Sequence, residues 1–249
     1  MQSKKLIVCL DVIDKRVTKG VQFKGNIDVG DPVEMASRYS DEGVDELVVY
    51  DIMASAEGRA IDLDLVKSVA AVTRVPLTVG GGLRDLKDIE DAMEAGAQKV
   101  SINSLAVLDP SVIADASEKF GKNAVMLAID AKFVGVSEQI PSGYEVFIQG
   151  ARRAMGLDAI QWAQEAQRLG AGEVCLNSID ADGTKEGYDL VFTDLMAKSL
   201  EIPVIASGGA GTLEHIQELF EGTAAQAALV ASMLHFNEFT VSQIKKVMH

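Results

Sequence analysis

The sequence predicts an α/β fold, a (β/α)8 barrel of parallel strands assembled from two duplicated half-barrels. Three observations predict it. Short apolar runs and amphipathic helical stretches alternate from end to end, which implies a parallel sheet covered by helices. Eight such units fit within 249 residues, a length that suits one closed barrel better than an open doubly wound sheet. The two halves also match each other. The match is clearest at residues 6–12 and 125–131, where an apolar run ends in a lone aspartate, Asp11 or Asp130.

The elements follow in order. Strand one is expected over 5–11, followed by a polar, lysine- and glycine-bearing loop over 13–30. Asp31-Pro32 supplies an N-cap and a first-turn proline, and the helix carrying Val33, Ala36 and Tyr39 stops at Gly43. Strand two spans 46–52, and its helix 62–72. Strand three, 75–79, is closed by Gly80-Gly81-Gly82, and Asp85 caps the next helix. Strand four is 99–102, and Asp109-Pro110 opens helix four. Strand five ends at Asp130. An excursion over 132–156 follows, in which residues 144–147 read as one arm of a small hairpin. Helix five carries Ile160, Trp162 and Ala163. Strands six, seven and eight span 173–179, 202–206 and 227–231, each followed by a helix. No linker-like stretch separates the units, so residues 1–249 read as a single barrel domain.

The repeat has a measurable offset. Glu46 aligns with Glu173, and Gly80-Gly81-Gly82 with Ser207-Gly208-Gly209, both 127 positions apart. Asn103-Ser104 aligns with Ala231-Ser232 at 128, and Asp11 with Asp130 at 119. The second half therefore carries its extra residues between strands five and six. A period this long marks a duplicated half-barrel and not a solenoid of short repeats.

Composition narrows the partners. The net charge of −14 and pI near 4.6 argue against nucleic acid and anionic membranes as ligands. No apolar run approaches the roughly 18 residues of a membrane span, and the N-terminus does not read as a signal peptide. Cys9 and Cys175 read as two buried free thiols of a cytoplasmic protein.

Chemistry is expected at the C-terminal ends of the strands, where barrels build their active sites. One aspartate there is often only a helix cap or an ion-pair partner. Asp11 and Asp130 occupy matched positions, and are expected to face each other across the mouth and carry acid/base work. Asp51, Asp180 and Asp182 lie near the same level. Hard cations want several clustered oxygens, and the three histidines (His215, His235, His249) are late and scattered. The site is therefore read without a metal or other cofactor. The small-residue sets after strands three and four, and after seven and eight, let backbone N–H groups approach an anion. Their duplication predicts two phosphates on opposite sides of the mouth. At the other end, Lys5, Glu46, Lys99 and Glu173 begin strands one, two, four and six. Pointed inward, they would form a salt-bridged ring across the barrel floor.

The residues also carry a resemblance over essentially the whole chain. Cys9-Leu10-Asp11-Val12, Val79-Gly80-Gly81-Gly82, Lys99-Val100-Ser101-Ile102-Asn103, Ala128-Ile129-Asp130-Ala131-Lys132 and Ser178-Ile179-Asp180-Ala181-Asp182-Gly183-Thr184 resemble the cyclase subunits of imidazole glycerol phosphate synthase. The resemblance implies a half-barrel duplication and a bisphosphate substrate, phosphoribulosyl-formimino-aminoimidazole carboxamide ribonucleotide. It implies ammonia delivered through the barrel by a glutaminase subunit docked on the floor. Asp11 and Asp130 would be catalytic, and Lys19 would lie on the loop that closes over substrate. Gly82, Asn103 and Ser104 would hold one phosphate. Asp182 and Gly183 would line the site, with Gly209, Ala231 and Ser232 at the other phosphate. Lys5, Glu46, Lys99 and Glu173 would gate ammonia.

The chain departs from this family where Lys5 replaces a frequent arginine, and where Ile27, Met53 and Met155 replace polar residues of the mouth. Two rival readings are an aldose–ketose isomerase of the same pathway and a non-catalytic barrel that docks a glutaminase. The floor set argues against the first, and the retention of both aspartates against the second.

Overall fold

A computed structural model describes residues 4–21 and 24–248; His249 lies outside the described residues. The described residues form twelve strands: β1 (Lys5–Ile13), β2 (Arg16–Val21), β3 (Lys24–Gly30), β4 (Glu46–Asp51), β5 (Leu77–Gly80), β6 (Lys99–Ile102), β7 (Val125–Phe133), β8 (Tyr144–Ile148), β9 (Arg153–Asp158), β10 (Glu173–Ser178), β11 (Val204–Ser207) and β12 (Ala227–Val230). Eight of them are parallel and close on themselves in the order β1-β4-β5-β6-β7-β10-β11-β12-β1. This is the (β/α)8 barrel expected.

The duplication is visible in the register. Asp11 pairs with Tyr50 across β1 and β4, and Asp130 pairs with Asn177 across β7 and β10. Leu47 pairs with Leu77, and their mates Val174 and Val204 pair likewise. The two seams between halves also match, Val100 with Val125 and Leu6 with Ala228.

Helices form where caps and patterning agree. Asp31 Oδ1 accepts from the N–H groups of Val33 and Glu34, which opens the helix Pro32–Glu42, and Gly43 ends it at φ +85°. Asp62, Asp85 and Asp158 cap later helices through the same side-chain acceptor role. Helix four starts at Ser111, one residue past Asp109-Pro110, and a short helix, Ser104–Leu108, precedes it. No helix among the described residues is long and apolar enough to cross a membrane.

Two segments differ from expectation. The stretch after strand one is not a plain loop. β1 runs on to Ile13 and turns back into the antiparallel ribbon β2–β3. Likewise β7 continues past Asp130 to Phe133 and pairs with β8, which pairs with β9. The predicted hairpin over 144–147 is therefore real, and it has a counterpart in the first half. Each half thus raises one ribbon from its first strand.

Most of the core lies between the barrel wall and the helices, around Leu6, Leu47, Leu77, Ile113, Leu127 and Phe192. A much smaller cluster fills the barrel interior: Ile7, Cys9, Val48, Met126, Cys175, Ile205, Ala227 and Leu229. Both cysteines are free and buried there. Above this plug the barrel is open.

Candidate active site

A cavity occupies the C-terminal mouth, and Asp11, Lys19, Gly82, Asn103, Ser104, Asp130 and Asp182 all line it. The two aspartates occupy equivalent positions on β1 and β7, and their neighbours are not equivalent. Asp11 Oδ2 accepts from Lys19 Nζ at 3.0 Å, and Oδ1 accepts from the Cys9 thiol at 3.2 Å. Asp130 Oδ1 accepts from Asn177 Nδ2, and Oδ2 from Asn103 Nδ2, each at 3.0 Å. The positions that match Asn177 and Asn103 in the other half are Tyr50 and Ala231, and Tyr50 bonds Ser101 at 2.8 Å instead. One carboxylate is therefore paired with a cation, and the other is held by two neutral amides.

This inequality separates their proton affinities. Burial alone would raise both. For Asp11 the nearby Lys19 charge, with the Lys19 and Cys9 hydrogen bonds, outweighs burial and holds the carboxyl below its usual range. Lys19 is raised by the Asp11 charge, against burial. For Asp130 burial dominates, the amide hydrogen bonds oppose it, and the Asp182 charge adds to the rise, so its pKa is pushed up to about 6. Asp182 is raised as well, by burial first, with Lys19 opposing. Two carboxyl groups driven apart in this way are suited to separate proton-transfer roles.

The other acids near the mouth are structural. Asp51 is buried against the Arg59 guanidinium and caps Ala54 N–H at 3.1 Å. Asp180 Oδ2 accepts from Phe133 N at 2.9 Å and so supports the extension of β7.

The glycine turns pack closely. A Cβ on Gly82 would lie 2.7 Å from Ile61 N and 2.9 Å from Arg59 O, and one on Gly209 would lie 1.9 Å from Gly187 O. Both glycines have positive φ, +73° and +98°. Their first requirement is thus backbone against backbone. Asn103 and Ala231 precede two short matched helices with nearly the same unusual dihedrals, φ −123°, ψ −80° and φ −140°, ψ −77°. The two proposed phosphate ends differ in exposure to the cavity. Gly82, Asn103 and Ser104 line it; Gly183, Gly209, Ala231 and Ser232 flank it without lining it.

On the floor, Lys99 Nζ donates to Glu46 Oε2 and Glu173 Oε1, both at 2.7 Å, and Thr78 Oγ1 donates to Glu46 Oε1 at 2.6 Å. The Glu46 side chain is 1% exposed. The fourth expected member, Lys5, is outside this knot. It is exposed and makes no ion pair within 4 Å among the described residues. Lys5 instead borders a second cavity with Ile7, Glu173 and Gln226. The reason is register: Lys5 is the first residue of β1, level with Ala227 on β12 and below the level of Glu46, which pairs with Ile7. The ring is a three-residue knot with one lysine at its edge.

Sequence reasoning missed Asn177 and Cys9 as partners of the aspartates. Asn177 sits beside Asp130 in the β7–β10 register, a neighbour set by the pairing of two strands and not by local sequence. His235 also went unassigned. It is buried between Tyr39 Oη (2.8 Å) and the Cys9 carbonyl (2.9 Å), and burial pushes its pKa down to about 4. It holds the last βα unit against β1.

Fold and site together define a barrel enzyme with two unlike carboxylates at its C-terminal mouth. Comparison with known proteins narrows the class. Residues 5–240 match the family model described as "Histidine biosynthesis protein". An imidazole glycerol phosphate synthase subunit HisF of Oleidesulfovibrio alaskensis is 52% identical, covering 99% of this chain and 95% of its own. Proteins of the same name from Desulfatibacillum aliphaticivorans (54%, covering 98% and 94%) and Syntrophobacter fumaroxidans (53%, covering 99% and 95%) are equally similar. The chain belongs to the histidine biosynthesis protein family.

Proposed function

We propose that this chain is the cyclase subunit of an imidazole glycerol phosphate synthase. It takes ammonia from a glutaminase subunit and converts the bisphosphate phosphoribulosyl-formimino-aminoimidazole carboxamide ribonucleotide to imidazole glycerol phosphate and aminoimidazole carboxamide ribonucleotide, with loss of water. The near full-length likeness to subunits of that name supports this reading. The observation that carries it is one barrel holding both an unlike carboxylate pair at the mouth and the Glu46–Lys99–Glu173 knot at the floor. An isomerase of the same substrate class needs the first and has no use for the second. The working compartment is the cytoplasm.

The roles follow from the environments. Ammonia adds to the substrate keto carbon, and the adduct must lose a proton. Asp130, with its pKa near 6, is the better base of the two and is ionised at neutral pH. The leaving oxygen must gain a proton on the opposite side. The Asp11–Lys19 pair, 3.0 Å apart, serves there, with the ammonium as the donor and Asp11 fixing its position. Asp182 lines the reacting centre, with Gly183 beside it. Gly82, Asn103 and Ser104 seat one phosphate, and Gly209, Ala231 and Ser232 seat the other. Glu46, Lys99 and Glu173, with Lys5 at their edge, admit ammonia from below.

The test is direct. Purified protein is given the bisphosphate and an ammonium salt, and imidazole glycerol phosphate is measured. Isomerised substrate without imidazole product would instead identify the isomerase.

A further inference from the structure

Eight arginines occur in the chain. Arg16, Arg38, Arg59, Arg74, Arg84 and Arg168 each lie within 4 Å of a carboxylate. Arg152 and Arg153 do not, among the described residues. In a protein of net charge −14, two adjacent cations left unpaired stand out. They follow the turn between β8 and β9, where Gln149, Gly150 and Ala151 take φ of +58°, +63° and +61°. Two of these three residues are not glycine, so the turn holds a conformation that side chains disfavour.

The turn is tied to the mouth. The Gln149 N–H donates to Ser104 Oγ at 3.0 Å, and the Phe147 carbonyl accepts from Asn103 Nδ2 at 3.2 Å. Gly150 lines the cavity beside Gly82, Asn103 and Ser104. Arg152 Nη1 donates to the Gln149 carbonyl at 2.8 Å. That guanidinium rests on Gly150, 2.7 Å from where a Cβ would stand. Arg152 thus lies against a residue that lines the cavity, and its guanidinium meets no carboxylate within 4 Å among the described residues.

We propose that the Gln149–Arg153 turn is a cationic wall of the mouth, where Arg152, assisted by Arg153, binds a phosphate monoester seated at the Gly82–Ser104 end. The inference rests on the reading of the substrate as a bisphosphate, and it deepens that reading by assigning the charge that one phosphate meets. An arginine fork suits a phosphate dianion better than any uncharged donor in the cavity. It also supplies the local positive field that an acidic surface withholds from an anionic ligand.

Inorganic phosphate is the probe. It is titrated into 15N-labelled protein, with the Ser104 and Gly150 amides followed by NMR, for the native chain, Arg152→Gln, Arg152→Lys and the Arg152→Gln/Arg153→Gln pair. Loss of charge-assisted bonds should raise the phosphate Kd about tenfold or more, with Arg152→Lys in between. In ammonium-dependent turnover, KM for the bisphosphate should rise in parallel and kcat should stay within about twofold. The KM gap should narrow at high salt, and the melting temperature should hold. Unchanged Kd and KM would overturn the proposal. So would a fall in kcat and melting temperature at constant Kd, which assigns Arg152 to holding the turn only. Phosphate shifts that depend on Arg152 in a native protein lacking ammonium-dependent turnover would keep the wall and remove the cyclase reading.

Discussion

Asn177→Leu should move the pH dependence of the reaction by an amount the structure sets. Leucine keeps much of the shape of asparagine and removes one N–H donor, the 3.0 Å bond to Asp130 Oδ1. A hydrogen bond to a charged group is worth about 1.5–3 kcal/mol, and one pKa unit corresponds to about 1.4 kcal/mol. Losing it should raise the Asp130 pKa by about one to two units above its present value near 6. As a base, Asp130 works ionised, so kcat/KM rises with pH through its pKa. The rising limb should therefore shift from near 6 to between about 7 and 8. The assay is ammonium-dependent turnover across pH, with each rate expressed per free NH3 because that fraction also grows with pH. The phosphates of the substrate titrate near 6 as well, and the variant separates them from Asp130, since their limb would stay in place. A limb that does not move in a stably folded Asn177→Leu protein would refute Asp130 as the titrating base.

Further outcomes are expected. Asp130→Asn should lower turnover by about a hundredfold or more. It should also stabilise the fold: burial raises the Asp130 pKa from 3.8 to about 6, so its contribution is best below the unfolded value and declines as pH rises to 6. Relief of up to about 3 kcal/mol at pH 7 should appear as a higher melting temperature that vanishes near pH 3. Gly209→Val should weaken substrate binding and also lower the melting temperature, because its Cβ would fall 1.9 Å from Gly187 O. Lys99→Leu strands the buried Glu46 and should cost about 3–5 kcal/mol, so it is a poor probe of ammonia passage. Lys5→Gln is the better one. It should leave stability within about 0.5 kcal/mol and ammonium-dependent turnover intact, while lowering glutamine-dependent synthesis with the partner present; equal glutamine-dependent rates would remove Lys5 from the passage.

The strands were legible because each barrel strand is an apolar run with a sharp polar boundary. Strand four, 99–102, matches to the residue. The ribbons were less so. Residues 16–20 carry one buried apolar side chain, Val17, between charged and small neighbours, too little to show a strand's alternation. Positions of the site residues could be read from the repeat, since equivalent strands keep equivalent registers. Their unequal chemistry could not. Asp11 and Asp130 sit in similar local sequence, and what separates them is Lys19 on one side and Asn103 and Asn177 on the other. Those partners arrive from other strands. Lys5 was misplaced for a similar reason: a charge at a strand start looks the same whether it faces inward or past the end of the barrel.

The matched seams have a consequence for assembly. β6 receives β7 through the same register by which β12 receives β1. While a nascent chain is still being completed, the edge of β6 is therefore as ready to accept the first strand of another molecule as its own β7. An exposed parallel edge of this kind invites exchange of halves between chains. What favours the native closure is distance along the chain. Only the helices Ser104–Leu108 and Ser111–Phe120 and the single 3₁₀ turn Lys122–Ala124 separate β6 from β7, so β7 arrives at a high effective concentration. Lengthening that junction should convert part of the population from closed monomeric barrels to half-exchanged pairs.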